Sequence, residues 1–299
     1  TENLDALWAS FLNHLHTSNS SLLAGALLLM PLNWLVETLK WRQYVRRFNP
    51  ISLRQAILAV WVGVSFSLFT PNRIGEYGGR ILFIRPEHRW KAVLVNLIGN
   101  YSQYLTLLTL GSAAGIHYLS NLGLLSSFWL YLLCVGAVLA LLLLYLLYFQ
   151  IRRLLPYLQR ASKRRWWQAL LREGKVLHYF NTTESTQLLG WALLRYAIYS
   201  TQYFLLLLFF GIAPGVLAAY PGIAVIFLVQ TCLPLAPLAS LFVRGNLAVW
   251  VWLPFGENAL GALASSFSLW IINLILPALI GTFSLFHVNI DKQTGHEDD

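Results

Sequence analysis

The chain has 299 residues, 57% of them hydrophobic and only 11% charged, with a mean hydropathy of +0.59 and a formal net charge of +9. Soluble globular domains carry about 25% charged residues, so this composition excludes one and describes a polytopic membrane protein. The two cysteines, Cys134 and Cys232, lack metal-ligand spacing and imply no disulfide framework; both sit in apolar segments and read as packed core thiols.

The first segment carries Glu2 and Asp5 where a cleavable signal peptide would carry basic residues. Apolar segments then follow at about 20–38, 55–70, 92–118, 124–149, 186–211, 214–233, 235–253 and 260–286. A run of about 20 apolar residues spans the roughly 30 Å hydrocarbon core. The segments show no strand-like alternation, which predicts helices throughout. The expected fold is an all-α polytopic membrane protein with six to eight hydrophobic segments, organised as two half-repeats within one membrane domain, 1–299. The first half is 1–150, a cytoplasmic linker covers 151–185, the second half is 186–288, and a polar tail covers 289–299.

Basic residues cluster between the segments. Lys40, Arg42, Arg46, Arg47 and Arg54 follow the first; Arg73, Arg80, Arg85, Arg89 and Lys91 precede the third; Arg152, Arg153, Arg160, Lys163, Arg164, Arg165, Arg172 and Lys175 fill the linker. Short basic loops stay cytoplasmic, which puts the N-terminus outside. Both 40–54 and 85–91 then belong on the cytoplasmic side, yet one apolar segment, 55–70, lies between them. A re-entrant hairpin resolves this: 55–69 enters, the chain turns at Thr70-Pro71, and 72–84 returns. Irregular backbone at membrane depth survives only against protein or a water-filled cavity. In the linker, Trp166, Trp167, Leu170, Leu171 and Leu177 alternate with basic residues at near-helical spacing, which predicts an interfacial amphipathic helix. No nucleic-acid-binding module accompanies the charge, so nucleic acid is not an expected partner.

The hairpin tip reads Thr70-Pro71-Asn72-Arg73-Ile74-Gly75-Glu76-Tyr77-Gly78-Gly79-Arg80. Thr70 suits an N-cap and Pro71 a first helical position. A helix starting there would offer free backbone N–H groups to an anion. Arg73, Glu76, Tyr77 and Arg80 would share one face. Gly75 and Gly79, four apart beside Gly78, would form a close-packing surface. Arginine binds phosphate through a planar two-donor fork. Two readings stand for the charged face: recognition of a substrate phosphate, or an internal ion pair that pins the hairpin.

The second half holds a looser counterpart, with Pro234 and Pro237 breaking an apolar stretch, followed by Ser240, Arg244, Gly245 and Asn246. Broken helices at corresponding positions of two halves point to transporter binding sites. Arg244 reads either as a ligand group or as a snorkelling side chain. Asn96, Asn100 and Gln103 form a polar stripe that faces either a cavity or a neighbouring helix. Arg195 and Tyr199 share a face of a later segment, and Glu37 with Lys40 reads as an interfacial ion pair.

The proline, the Arg-x-Gly-Glu run Arg73-Ile74-Gly75-Glu76 and the nearby Arg80 resemble the signature of the lysylphosphatidylglycerol synthase transmembrane family, also called the flippase-like domain family. Asn33-Trp34 through Lys40-Trp41-Arg42 is similar to the start of such domains, and Arg244-Gly245-Asn246 resembles a second family element, without the glycine-rich run and trailing glutamate many members show. The resemblance covers nearly the whole chain. It implies a bacterial inner-membrane protein related to the domain that moves aminoacylated phosphatidylglycerol between leaflets, here as a stand-alone membrane domain without the synthase domain.

The expected function is a lipid flippase or lipid-binding transporter. Its ligand would be an anionic phospholipid, an isoprenoid phosphate or a lipid-linked sugar. Substrate-binding candidates are Arg73, Glu76, Tyr77, Arg80, Arg244 and Asn246; structural candidates are Thr70, Pro71, Gly75, Gly78, Gly79, Pro234 and Pro237. No cofactor or metal is expected, and no nucleotide-binding loop or catalytic motif is recognisable. Glu87-His88 reads as a solvated loop pair. The alternatives are a membrane enzyme acting on lipid phosphates or lipid-linked sugars, and an accessory subunit that delivers lipid to a synthase partner; a homo-oligomer is compatible with each.

Overall fold

The computed structural model describes residues 20–123, 125–153, 157, 173–233, 235, 240–255 and 259–294, leaving aside the side chains of Asn72 and of 286–294. Every regular element among them is helical: α1 Ser20–Val45, α2 Leu53–Ser67, α3 Gly75–Ile81, α4 Arg89–Leu122, α5 Ser127–Phe149, α6 Thr182–Phe209, α7 Val216–Cys232, α8 Leu241–Trp252, α9 Ala259–Trp270 and α10 Leu276–Thr294. A π-helical turn, Ile271–Ile275, joins α9 to α10.

Stretches Ser20–Val45, Ser127–Phe149, Thr182–Phe209 and Ala259–Leu285 are long and apolar enough to cross a membrane. The protein is therefore a multi-pass, all-α membrane protein. The apolar helix α2 has 15 residues, about 22 Å at 1.5 Å per residue, short of a bilayer core. Among the described residues α7 and Leu241–Phe255 are likewise short apolar helices.

The chain from α2 to α3 forms a helical hairpin. Ser52 opens α2 with a reciprocal capping box: its hydroxyl accepts from the Gln55 N–H at 3.2 Å, and the Gln55 side chain accepts from the Ser52 N–H at 3.0 Å. The two helices run antiparallel, with Gly79 against Gly63 and Gly75 against Phe66. A Cβ on Gly75 would sit 2.1 Å from the Phe66 carbonyl oxygen, and one on Gly79 would sit 2.6 Å from the Gly63 Cα. Gly75 and Gly79 thus lie directly against the backbone of α2. Gly78 is exposed, with open space where a Cβ would go.

The two ends of the hairpin meet. The Arg85 N–H donates to Asn49 Oδ1 at 3.2 Å, and the Phe48 and His88 rings lie edge to face at 5.8 Å. Segment 173–184 joins them: Arg47 pairs with Glu184 at 2.6 Å and Lys91 with Glu173 at 3.7 Å. The basic clusters around 47, 85–91 and 175 thus gather at one end of the molecule.

Of the linker, Trp166, Trp167, Leu170 and Leu171 lie outside the described residues. Leu177 corrects the expected interfacial face. It sits in a 3-10 turn, Glu173–Tyr179, and is buried with Val176 and Phe180 in the protein core. Pro234 and Pro237 also lie outside the described residues.

Two large apolar cores and a small one at Ala114, Ala224 and Val225 form among the described residues. Of the large pair, one gathers Trp34, Trp41, Tyr44, Val60, Val95 and Leu188 with neighbours, the other Tyr203, Leu206, Phe227, Val251 and Trp252 with theirs. Helix α1 serves both, through Ala26 in the second and Trp34 in the first. Against expectation, neither cysteine is a core residue: Cys134 is half-buried on α5 and Cys232 exposed at the end of α7. An apolar thiol gains nothing by leaving hydrocarbon for a protein interior, so no force draws it inward.

Candidate functional site

The motif is not one helix. Pro71–Arg73 forms a 3-10 turn, Arg73 has a φ of 57°, and α3 starts only at Gly75. Arg73 is the sole non-glycine residue with positive φ among those described. That left-handed backbone costs an L-residue about 1–2 kcal/mol, and it corrects the expected single face. Arg73 still reaches Glu76, at 3.7 Å, and its guanidinium lies over the Trp34 ring at 5.9 Å, while Arg80 is buried against Glu37 and Tyr77 against Asn100. The expected row of free N–H groups is also corrected. The N–H of Arg73 donates to the Thr70 carbonyl, that of Ile74 to Pro71 and that of Tyr77 to Ile74, while the Gly75 N–H donates to Thr70 Oγ1 at 2.8 Å. Thr70 and Pro71 do open the turn, but these donors serve the turn itself rather than a ligand.

Arg80 is 1% exposed. It donates to Glu37 at 2.9 Å, contacts Glu76 one turn back, and lies over the Trp41 ring at 5.5 Å. Glu37 is equally buried and also receives Lys40 at 2.6 Å and Arg195 at 2.9 Å. Glu37 therefore ties α1 to α3 and α6. A carboxylate and its partners withdrawn from water this far persist only because each meets opposite charge. Glu37 was legible only as one half of an interfacial pair with Lys40; its role as a hub depends on helices distant in sequence.

Above this cluster lies a cavity of about 250 Å³. Arg73 and Glu76 reach it from the hairpin, Asn33 and Trp34 from α1, and Asn100, Gln103 and Tyr104 from α4. Arg195, Tyr196 and Tyr199 face it from α6, Arg244 from α8, and Trp270 and Asn273 from the α9–α10 junction. Leu107, Phe227, Leu233, Leu235 and Leu274 supply apolar wall. Arg195 lies over the Trp34 ring at 5.0 Å, the same ring that Arg73 meets at 5.9 Å.

The polar stripe of α4 divides. Asn100 and Gln103 face the cavity, while Asn96 is buried elsewhere. Asn100 donates to the Tyr77 hydroxyl at 3.1 Å, which makes Tyr77 a support of the wall rather than part of it. Arg244 faces the cavity and its Nε donates to Ser240 Oγ at 2.9 Å. Asn246 does not: it is exposed and its amide donates to the Phe242 carbonyl at 2.8 Å. Two positions further along a helix turns a side chain away from its neighbour's face.

Several buried polar atoms of the lining residues make no hydrogen bond, although Arg73 Nε lies 3.7 Å from Glu76 Oε2. The donors are Arg73 Nε and Nη2, Trp34 Nε1 and Trp270 Nε1; Gln103 Oε1 is the acceptor in the same state. Behind the wall a hydrogen-bonded chain crosses the protein. Arg195 Nε donates to Asn33 Oδ1 at 3.1 Å, Asn33 to Asn273 Oδ1 at 3.0 Å, Asn273 to Gln202 Oε1 at 2.7 Å, and Gln202 to the Ala26 carbonyl at 2.7 Å. Asn273 sits within the π-helical turn, a distortion frequent at functional sites. The signal for Arg195 was its charge within an apolar helix; nothing local marked Asn273 as more than a helix-packing amide. Among the described residues no group of His, Cys, Asp and Glu side chains is gathered to hold a metal ion.

No curated protein and no solved structure matches the chain. The pattern of the family described as the lysylphosphatidylglycerol synthase TM region matches residues 4–281. That span includes the hairpin, the Glu37 cluster and the wall of the cavity, and the chain belongs to this family of membrane domains.

Proposed function

We propose that the protein binds the anionic head group of a membrane lipid in this cavity and moves it between leaflets. The ligand is an anionic phospholipid or a lipid-linked isoprenoid phosphate. The observation that carries the reading is the convergence of Arg73, Arg195 and Arg244 on one cavity whose lining carboxylate is Glu76, with Arg244 forming no ion pair among the described residues. A phosphate supplies acceptors and charge together to such a set of guanidiniums. The cavity's size suits a head group, with acyl or prenyl tails left in the bilayer.

In this reading Arg73, Arg195 and Arg244 contact the head group. Glu76 and Arg80 act beneath it: Arg80 locks the hairpin onto α1 through Glu37, and Glu76 holds Arg80 while facing Arg73 at 3.7 Å. The hairpin is re-entrant, its basic ends lie in the cytoplasm of a bacterial cell, and the N-terminus lies outside. Transport is passive or driven by an ion gradient.

Reconstitution in liposomes tests the assignment. Arg73→Ala and Arg244→Ala should each slow lipid movement by about tenfold or more while the protein stays folded. Wild-type lipid movement in both variants would overturn the roles given to these arginines. Release of a chemically altered product from labelled lipid would replace transport with enzymology.

A further inference from the structure

The charges around the cavity do not cancel. Lys40, Arg73, Arg80, Arg195 and Arg244 stand against Glu37 and Glu76. Glu37 is shared by Lys40, Arg80 and Arg195, and Glu76 by Arg80 and Arg73. Three positive charges are left without a carboxylate. Arg73, Arg195 and Arg244 line the wall with Glu76, and Arg195 also meets Glu37 at 2.9 Å, so the surplus belongs to the whole cluster and exceeds the charge of a monoanion. Arg73 and Arg195 are held over one indole, at 5.9 and 5.0 Å from the Trp34 ring centre. That ring attracts both cations but neutralises neither.

A second observation is independent of charge. The buried polar atoms of the lining residues that make no hydrogen bond are nearly all donors: two on Arg73, one of them 3.7 Å from Glu76, and the indole N–H groups of Trp34 and Trp270, with Gln103 Oε1 the acceptor. Trp34 is 2% exposed, so water at the protein surface does not serve it. The matching ligand is rich in acceptor oxygens and carries two negative charges. A terminal phosphomonoester or a diphosphate meets both conditions. The phosphodiester of an ordinary phospholipid brings one charge and two free oxygens. A head group with an added amine brings positive charge and further donors, and fits worse on both counts.

We propose that the cavity selects a dianionic terminal phosphate on a lipid, a phosphomonoester or diphosphate, over the monoanionic phosphodiester of common phospholipids. This rests on the reading of the cavity as a lipid-phosphate site. It also sets a pH signature, because a phosphomonoester loses its second proton near pH 6. A phosphodiester has no such step. The groups facing the ligand are Arg73 and Glu76 from the hairpin, Tyr104 from α4, Arg195, Tyr196 and Tyr199 from α6, and Arg244 from α8. The phosphodiester therefore serves as the control that reports any titration of these groups themselves.

The test is equilibrium binding to the purified full chain in detergent, at pH 5 and pH 7.5, with farnesyl monophosphate, phosphatidylglycerol and inorganic phosphate as probes. The expected result at pH 7.5 is about tenfold tighter binding of farnesyl monophosphate than of phosphatidylglycerol, shrinking toward parity at pH 5. Arg244→Gln should reduce the preference at pH 7.5 by removing one charge of the surplus. Equal affinity of the two lipids at pH 7.5, or tighter binding of phosphatidylglycerol, would overturn the dianion selectivity and leave the lipid-phosphate site standing. Binding of neither lipid would overturn the lipid-phosphate reading itself. Inorganic phosphate binding as tightly as farnesyl monophosphate would overturn the lipid source and make this a soluble-anion site.

Discussion

Arg80 and Glu37 lie 43 residues apart in sequence and 2.9 Å apart in space, each with a side chain 1% exposed. One comes from the short return helix of the hairpin and the other from the first membrane-spanning helix. Their contact fixes where the hairpin tip sits, and therefore where Arg73 meets the cavity. Arg80→Gln should lower stability by about 3–5 kcal/mol, because it leaves Glu37 and Glu76 facing each other's charge without their shared cation. Both carboxylates meet the single nitrogen Nη2, so Arg80→Lys should recover part of the loss by placing an ammonium between them. Thermal unfolding of the purified variants in detergent measures both; a wild-type midpoint for Arg80→Gln would contradict the locking role.

Arg73 allows backbone and side chain to be separated. Its φ of 57° favours glycine. Its ion pair with Glu76 is long at 3.7 Å, and its side chain is 37% exposed, so that pair contributes little. Arg73→Gly should leave stability within about 1 kcal/mol of wild type or raise it, while Arg73→Ala should fall below Arg73→Gly by about 1–2 kcal/mol. Both should lose lipid movement equally. Lipid movement retained in Arg73→Gly alone would mean that the backbone conformation, not the guanidinium, is what the site needs.

The helical membrane class was legible because composition and periodicity are local properties. Charge on both sides of one short apolar segment pointed to a chain that turns back, and α2 and α3 do run antiparallel with Arg85 and Asn49 in contact at their ends. The arrangement within the motif was not legible. Helical spacing assumes continuous helix, and Arg73 interrupts it with a conformation that a sequence does not advertise. Arg80 looked like Arg73 in sequence; only the position of Glu37 on a distant helix makes one a buried lock and the other a wall residue. Arg195 and Asn273 were visible as polar residues in apolar helices. Their convergence on Asn33 depends on how three helices pack, which no local pattern encodes.

The three glycines of the motif should respond differently to the same change. Gly79→Ala would place a Cβ 2.6 Å from the Gly63 Cα, and Gly75→Ala one 2.1 Å from the Phe66 carbonyl oxygen. Both contacts are with backbone, which yields only if the helices part. Each should lower stability by about 1–3 kcal/mol. Gly78→Ala meets open space on a helix and should be neutral or stabilising by up to about 1 kcal/mol. Thermal unfolding of the three single variants decides this, and a Gly78→Ala loss as large as that of Gly79→Ala would refute the packing assignment.

The hairpin's ends give a topological prediction. Phe48 and His88 touch across 5.8 Å, so a re-entrant hairpin requires both to face the same compartment. In a background with Cys134 and Cys232 replaced by serine, single cysteines at Arg46 and Arg89 should react with a membrane-impermeant maleimide from the cytoplasmic side only. Labelling of the two positions from opposite sides would show a full crossing between them.

Asn273 joins α1 to α6 through side chains. Its amide donates to Gln202 at 2.7 Å and its oxygen accepts from Asn33 at 3.0 Å, and Asn33 in turn accepts from Arg195 at 3.1 Å. Asn273→Ala leaves the Asn33 donor and the Gln202 acceptor buried without their partner, which costs about 1–3 kcal/mol. The loss should reach further than stability. Asn33 is then free to turn, and Arg195 keeps Glu37 but loses the group that fixes its second edge. Lipid binding should weaken while lipid movement falls more steeply, because the same chain links α1, α6 and the π-helical turn that must keep register during any rearrangement of the cavity. Asn273→Asp is the informative contrast. It preserves the acceptor toward Asn33 and adds a carboxylate to the wall, so it should lower the affinity for an anionic probe more than Asn273→Ala does. Binding of farnesyl monophosphate to the two variants measures the order, and an Asn273→Asp protein that binds the anion as tightly as wild type would remove Asn273 from the electrostatics of the site.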